Sequence, residues 1–319
     1  MVKWVEWKAE QVRRLESAGI EYPEDELLYI ISILNEKARS TIHFDKEIEL
    51  SEALSEDVLS RFERVISGRI RREPLAYLLG EVFFYRDRFF VGPGVLVPRP
   101  DSEILVGASL YSLGVDDSFL AGRYEDISAL KVDANVDHLV LLDLCTGSGC
   151  IGISIANILS RYLLSYQMVL TEISEEAAQY ARRNIEEASE PDRIALEMCD
   201  LFPEQEYFLT TYGKAAFIVS NPPYITDAAF EDTMPEVRIH EPALALRGGS
   251  DGLQIYRRIL DMSPKYLSQN GILAFEHGFD QRGAISELMQ SAGFSDVVCL
   301  KDFGGNDRVT LGRFRGILS

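Results

Sequence analysis

The sequence predicts a doubly wound α/β domain preceded by a small helical one. Three observations carry this. From residue 138 onward, short and nearly unbroken apolar runs alternate with helix-spaced stretches, the pattern of a parallel sheet covered on both faces. A glycine-rich turn, Asp143–Gly152, follows the first of these runs and opens a helix. Residues 1–80 carry helical spacing instead.

The elements follow in order. Trp4, Trp7, Val12, Leu15 and Ala18 are spaced for one helix, with both tryptophans assigned to its core face and Gly19 placed to stop it. Pro23 and the acidic residues Glu24–Glu26 open a second helix carrying Leu27, Leu28, Ile31 and Leu34. Ser55 caps a third, whose apolar set is Val58, Leu59, Phe62, Val65 and Ile66. Residues 82–97 are rich in aromatics and valine and are broken at Arg86-Asp-Arg88, which reads as a hairpin; Gly92, Pro93 and Gly94 then bend the chain into a helix over 101–113. The stretch 114–137 reads as an irregular connection. Strands are expected at 139–144, 167–171, 194–198, 215–220 and 271–276, with a final pair at 295–300 and 308–314. Helices are expected at 150–164, 175–188 with Ser174 as cap, 251–268 and 281–292. This divides the chain into a helical domain 1–80, a β-hairpin linker 81–98 and an α/β domain 99–319. Any ligand belongs beyond the carboxyl ends of the strands.

Composition limits the function. The chain has 319 residues, 46% of them hydrophobic, enough for a sizeable core. With 32 basic against 51 acidic residues the formal net charge is -19, a field that repels phosphate backbones and anionic membranes and argues against stable nucleic-acid binding. The four cysteines form no CxxC pair and the histidines no HExxH, so no metal site is expected. The N-terminus lacks an apolar targeting core and no apolar run approaches the ~20 residues of a membrane span, so the expected setting is the cytoplasm.

Two loops carry the chemistry. Gly147 and Gly149 let the backbone turn tightly and approach a ligand, beside the free N–H groups of the following helix. Glu172 ends the second strand, where its two oxygens can accept from both hydroxyls of a ribose, and Asp200 ends the third, facing a base edge. Gly147, Gly149 and Gly152 also spell the dinucleotide fingerprint, so a hydride-transferring enzyme is a competitor at this point. Against it, Asp143 stands just before the glycines, where a carboxylate suits an ammonium and repels a pyrophosphate. The fourth strand then runs into Asn221-Pro-Pro-Tyr224. Prolines donate no hydrogen bond, so this loop offers acceptors: the Asn221 side-chain oxygen and the Pro222 carbonyl. Two rigid acceptors match a planar NH2 group, and Tyr224 offers a ring to stack on it.

A glycine loop combined with Asn-Pro-Pro-Tyr resembles the S-adenosylmethionine-dependent amino-methyltransferases. The chain more specifically resembles the release factor glutamine N5-methyltransferase family (HemK/PrmC). The resemblance rests on Glu73-Pro-Leu-Ala-Tyr-Leu-Leu-Gly80, Leu96-Val-Pro-Arg-Pro-Asp-Ser-Glu103, Asp143-Leu-Cys-Thr-Gly-Ser-Gly149 and Asn221-Pro-Pro-Tyr224. It continues through Val237-Arg-Ile-His-Glu-Pro-Ala-Leu-Ala-Leu246, Gly248-Gly-Ser-Asp-Gly-Leu253, Glu276-His-Gly278 and Gly304-Gly-Asn-Asp-Arg-Val-Thr-Leu-Gly312.

The resemblance implies a seven-stranded class I methyltransferase domain, a helical substrate-recognition domain and a hairpin linker. It implies S-adenosylmethionine as cofactor and the glutamine of the release-factor GGQ loop as acceptor, bound in a cleft between the domains. It places Asp143, Thr146, Gly147, Gly149, Glu172, Ile173, Asp200, Leu201, Asn221 and Arg99 at the cofactor. Asn221, Pro222, Pro223, Tyr224, Glu241 and Pro242 fall at the acceptor, with Asn221, Pro222 and Tyr224 as the catalytic set. The chain departs from the family in having Cys145 where the loop usually starts with glycine, and His240 where phenylalanine is common. If position 145 needs a positive φ, cysteine costs about 1 kcal/mol or more there; otherwise its side chain narrows the pocket. Methylation of an exocyclic base amine, of the adenine N6 type, is the alternative chemistry the same grip serves. A noncatalytic scaffold is the alternative of a different class.

Overall fold

The computed structural model describes residues 2–35, 48–115, 124–132, 138–162 and 165–316. The chain divides into two units, Met1–Gly80 with Pro235–His240, and Glu81–Met234 with Glu241–Ser319.

In the first unit the helices Trp4–Ser17, Pro23–Leu34 and Glu56–Ile70 turn their apolar faces to one another. Leu15, Leu27, Ile31, Phe62 and Ile66 form the centre of their core. The Trp7 ring packs 4.7 Å from Phe62 and 5.5 Å from Trp4, so both tryptophans serve the core. The local signals act as expected: Gly19 takes φ +77° after the first helix, Pro23 starts the second, and Ser55 Oγ accepts from Val58 N. Two features were not legible. A short helix Leu75–Leu79 ends at Gly80, and the segment Pro235–His240 joins this unit from far along the chain. Glu236 of that segment accepts from Arg72 at 2.7 Å and lies 3.5 Å from Arg69, which also binds Glu26 at 2.6 Å. Arg69 is almost wholly buried, so the cluster holds paired charges out of water, where losing one partner is costly.

The second unit opens with the hairpin β1 (Glu81–Phe84) and β2 (Asp87–Phe90), turned at Tyr85 with φ +58°. Sequence reasoning set residues 81–98 apart as a linker. The structure places the hairpin within this unit, for a packing reason. Phe84 and Phe89 are buried in the same cluster as Ile104 and Ile151, and the Asn184 side chain both donates to Phe90 O and accepts from Phe90 N.

The strands β3 (Leu139–Leu144), β4 (Tyr166–Glu172), β5 (Ile194–Met198), β6 (Ala215–Ser220), β7 (Leu267–Glu276), β8 (Phe294–Lys301) and β9 (Asp307–Phe314) form one seven-stranded sheet. Its order is β5-β4-β3-β6-β7-β9-β8, with only the β9 pairings antiparallel. Alternation along β3 shows why its run is unbroken. Leu139 and Leu141 pack with Ile151 and Ile155 on one face; Val140, Leu142 and Leu144 pack with Tyr256, Ile259 and Ile285 on the other. Within the 114–137 connection, residues 116–123 and 133–137 lie outside the described residues. Its described part is irregular apart from one turn of 3-10 helix, Glu125–Ile127, yet Ile127 and Leu130 are fully buried in the core. This is a methyltransferase fold. The chain reverses its direction of winding between β3 and β6, and a crevice opens there beyond the strand ends.

Candidate active site

Strand register builds the site. Leu144 pairs with Thr171 on one side and with Ser220 on the other, and Ser220 pairs with Phe275. The next residues, Glu172, Cys145, Asn221 and Glu276, therefore form a row along the carboxyl edge of the sheet. A cavity of about 230 Å³ lies over that row. Its walls are the glycine loop Cys145–Ser148, the strand ends Glu172–Ser174 and Cys199–Leu201, the hairpin exit Gly94–Arg99 with Ser102, and Asn221 with Pro223. Pro242, Leu244, Ala245, Arg247, Ile255 and Arg258 also line it.

The glycine loop is held from beneath. Asp143 is fully buried, and its Oδ2 accepts from Thr146 Oγ1 at 2.6 Å and from Gly152 N at 3.0 Å. A Cβ at Gly152 would stand 2.9 Å from that oxygen and 2.3 Å from Leu170 Cδ2, so only glycine lets helix Cys150–Leu159 come this close. Burial pushes the Asp143 carboxyl up to about 7 against these two hydrogen bonds, and Oδ1 has no partner among the described residues. Cys145 takes φ +58°, the left-handed conformation that glycine adopts freely. Burial drives its thiol up, away from the reactive thiolate.

Glu172 reaches across to the loop: Oε2 accepts from Gly147 N at 2.8 Å, while Oε1 accepts from Ile173 N and Ser174 N at 3.0 and 2.9 Å. Asp200 is half exposed and accepts from Arg258 at 2.8 Å. Asn221 donates through Nδ2 to Ser102 Oγ at 3.3 Å. Behind them Glu276, almost wholly buried, has the Ser102 and Asn221 side chains as hydrogen-bonding neighbours, and burial lifts its carboxyl to about 7. His277 is fully buried, with Nε2 2.8 Å from Thr310 Oγ1, a structural strand-end histidine.

Of the residues singled out in the sequence, the structure brings Arg99, Thr146, Gly147, Glu172, Ile173, Asp200, Leu201, Asn221, Pro223 and Pro242 to this cavity. Asp143, Gly149, Pro222, Tyr224 and Glu241 do not line it. Three expectations change. Asp143 is fully buried outside the cavity lining and holds the loop and the helix start through Oδ2. Glu172 already serves three N–H groups, leaving about one of a carboxylate's four acceptor sites for a ribose hydroxyl rather than a bidentate grip. Glu241 is buried and accepts from Arg99 and from Val97 N, so it fixes the hairpin exit rather than presenting itself to an acceptor. Tyr224 packs beside the core, and burial pushes its hydroxyl up to about 12. Sequence reasoning gave no role to Ser102 or Glu276, although both stand in motifs it quoted. Glu276 carried a positional signal, a carboxylate ending an apolar strand, whereas Ser102, between Asp101 and Glu103, carried none. Among the described residues no group of three or more His, Cys, Asp or Glu could hold a metal ion, and no helix is long and apolar enough to cross a membrane.

Known proteins resemble this chain in sequence. Residues 6–80 match the PrmC N-terminal domain and residues 127–270 the methyltransferase small domain. The chain is 33% identical over 290 residues to the release factor glutamine methyltransferase of Clostridium acetobutylicum, covering 91% of this chain and 90% of that protein. It is 35% identical over 275 residues to the enzyme of the same name from Geobacter sulfurreducens, covering 85% and 82%. Among solved structures, the release factor-specific protein-(glutamine-N5) methyltransferase from Alicyclobacillus acidocaldarius is 25% identical, covering 71% of this chain and 99% of that one, with a TM-score of 0.38. Glycine loop, Asn-Pro-Pro-Tyr turn and sheet order thus stand in a chain that belongs to the release factor glutamine methyltransferase family.

Proposed function

We propose that this chain methylates the side-chain amide nitrogen (N5) of the glutamine in the GGQ loop of class 1 peptide chain release factors, in the cytoplasm and without stable nucleic-acid binding. The observation that carries the reading is Asn221 at the end of β6, tied through Nδ2 to Ser102, so that Oδ1 is its remaining polar atom. The cavity fits S-adenosylmethionine. Glu172 retains an acceptor site, Asp200 and Asn221 offer polar groups, and Gly147 leaves open space beside Val95, 3.8 Å from where a Cβ would stand. Glu172, bonded to the glycine loop, favours a cationic nucleoside over a pyrophosphate at that loop, while Asp200 is paired with Arg258. When bound, this cofactor supplies an electrophilic methyl group on a sulfonium.

The chain's own part follows from amide chemistry. An amide nitrogen is a weak nucleophile because its lone pair is delocalised. Asn221 Oδ1 and the Pro222 carbonyl accept the two amide hydrogens and fix the nitrogen's direction. Positive charge grows on the amide during attack, and the same acceptors then bind it more strongly, which lowers the barrier selectively. Pro222 and Pro223 hold these acceptors rigidly, since their φ is fixed. The proton released passes to water. Asn221→Ala should lower kcat about 100-fold or more at a cofactor concentration that calorimetry shows to be saturating for the variant. A variant that transfers methyl groups at the unchanged rate would contradict the reading.

A further inference from the structure

Asn221 is a carboxamide, and its two ends do opposite things. An oxygen facing the acceptor NH2 accepts from it; a nitrogen facing it repels it. Something must therefore set which end faces outward. The strand pairing Ser220 with Phe275 puts Glu276 beside Asn221 on the neighbouring strand. Ser102 is 2% and Glu276 1% exposed, so neither competes for water. Ser102 Oγ accepts from Asn221 Nδ2 at 3.3 Å, which leaves the serine proton to donate. The Ser102 hydroxyl and, more weakly, the Asn221 carboxamide favour the Glu276 anion as its hydrogen-bonding neighbours, and its Oε2 has no partner among the described residues.

We infer that Ser102 and Glu276 are positioning residues: the Glu276 carboxylate orients the Ser102 hydroxyl, which in turn orients Asn221 with its oxygen toward the acceptor. This rests on the proposed role of Asn221. Polarity runs one way along the chain of hydrogen bonds, Asn221 N–H to Ser102 Oγ and Ser102 O–H to carboxylate. Protonation of Glu276 reverses it. The carboxylic O–H donates to Ser102, the serine proton turns to Asn221, and the carboxamide offers that proton its oxygen, leaving nitrogen toward the acceptor. The site is then active with Glu276 ionised and inactive with it protonated.

Several groups bear on Glu276. Arg308 of β9 favours the anion, while its charge is shared with Asp302 at 3.0 Å. Asp101, beside Ser102, opposes the anion. Tyr224 lies on the loop after β6, Cys150 starts the helix after the glycine loop, and Tyr256 donates from helix Gln254–Tyr266 to the Glu276 main-chain oxygen at 2.7 Å. Burial outweighs these influences and lifts the carboxyl to about 7, inside the working range.

The test is single-turnover methyl transfer from S-adenosylmethionine to a folded release factor at pH 6 and pH 8, with each variant's cofactor affinity measured by calorimetry. Wild type should run about tenfold slower at pH 6, the ratio expected when ionisation near pH 7 controls the rate. Glu276→Gln should lose this pH step, because its carboxamide oxygen accepts from Ser102 at any pH. Ser102→Ala should lower the rate about 10- to 100-fold with acceptor KM little changed, comparable to losing an outer-shell orienting group elsewhere. Glu276→Gln with the wild-type pH step, or Ser102→Ala at the full rate, would overturn the inference. Asn221→Ala separates the two levels. If it is inactive while the other variants behave as wild type, only the positioning role fails; if it is fully active, the parent reading fails.

Discussion

Cys145 adopts φ +58° with a Cβ attached, a conformation that costs a non-glycine residue about 1–2 kcal/mol. The sequence showed the substitution but not the dihedral, and the structure resolves the alternative in favour of strain. Glycine would relieve that strain yet return about 0.4–1 kcal/mol of unfolded-chain entropy, so Cys145→Gly should change stability little. Cys145→Val should destabilise by about 1–2 kcal/mol, since branching at Cβ aggravates the left-handed region. Denaturant unfolding that finds valine as stable as glycine would remove strain from the account. Asp143 gives a pH signature. Its carboxyl lies at about 7 when folded against an ordinary value of 3.8. An acid raised by folding contributes stability that is full below about pH 4 and lost as pH climbs through 7. Asparagine keeps an acceptor for Thr146 and Gly152 without a buried charge. Thermal unfolding should therefore show Asp143→Asn gaining on wild type at pH 8 and not at pH 4; an equal difference at both would show that the ionised form bears no burial cost.

Elements were legible where local chemistry decides them and obscure where distant contacts do. Ser55 and Ser174 cap the helices they were expected to cap, accepting from Val58 N and Ala177 N. The buried strands β3 and β6 occupy the expected residues because parallel strands covered on both faces leave unbroken apolar runs. β7 starts at Leu267 rather than 271, inside the end of the helix expected over 251–268, and runs on through Asn270 at φ +63°. Helix Gln205–Thr211 was missed: it is short, and Glu204 caps it by accepting from Glu206 N and Tyr207 N. The Pro235–His240 segment was invisible because its place depends on Arg69 and Arg72, over 160 residues away in sequence. The third glycine of the loop offers a test at this scale. Gly152→Ala pushes a methyl group into Leu170 and Asp143, and should cost about 1–3 kcal/mol in unfolding as helix Cys150–Leu159 is forced off the sheet. An unchanged midpoint would mean the packing is loose.

At the scale of the whole molecule, sheet order turns scattered motifs into one site. Asp143 and Asn221 are far apart in sequence, but β3 and β6 are neighbours, so the loops that follow them meet at the point where the winding reverses. The sequence supplied the loops and their residue types. It did not supply register, and without register neither the row Glu172–Cys145–Asn221–Glu276 nor the support behind Asn221 was visible. The net charge of -19 bears on the choice of acceptor. A nucleic-acid amine would need its backbone held against that field, whereas a protein loop needs no phosphate contacts. The most direct test of the central claim is intact-peptide mass spectrometry of a folded release factor after incubation with the purified protein and S-adenosylmethionine. The account predicts a gain of about 14 Da on the glutamine of the GGQ peptide, the mass of one methyl replacing hydrogen, absent with Asn221→Ala. No gain on that glutamine from a protein that binds the cofactor would contradict it.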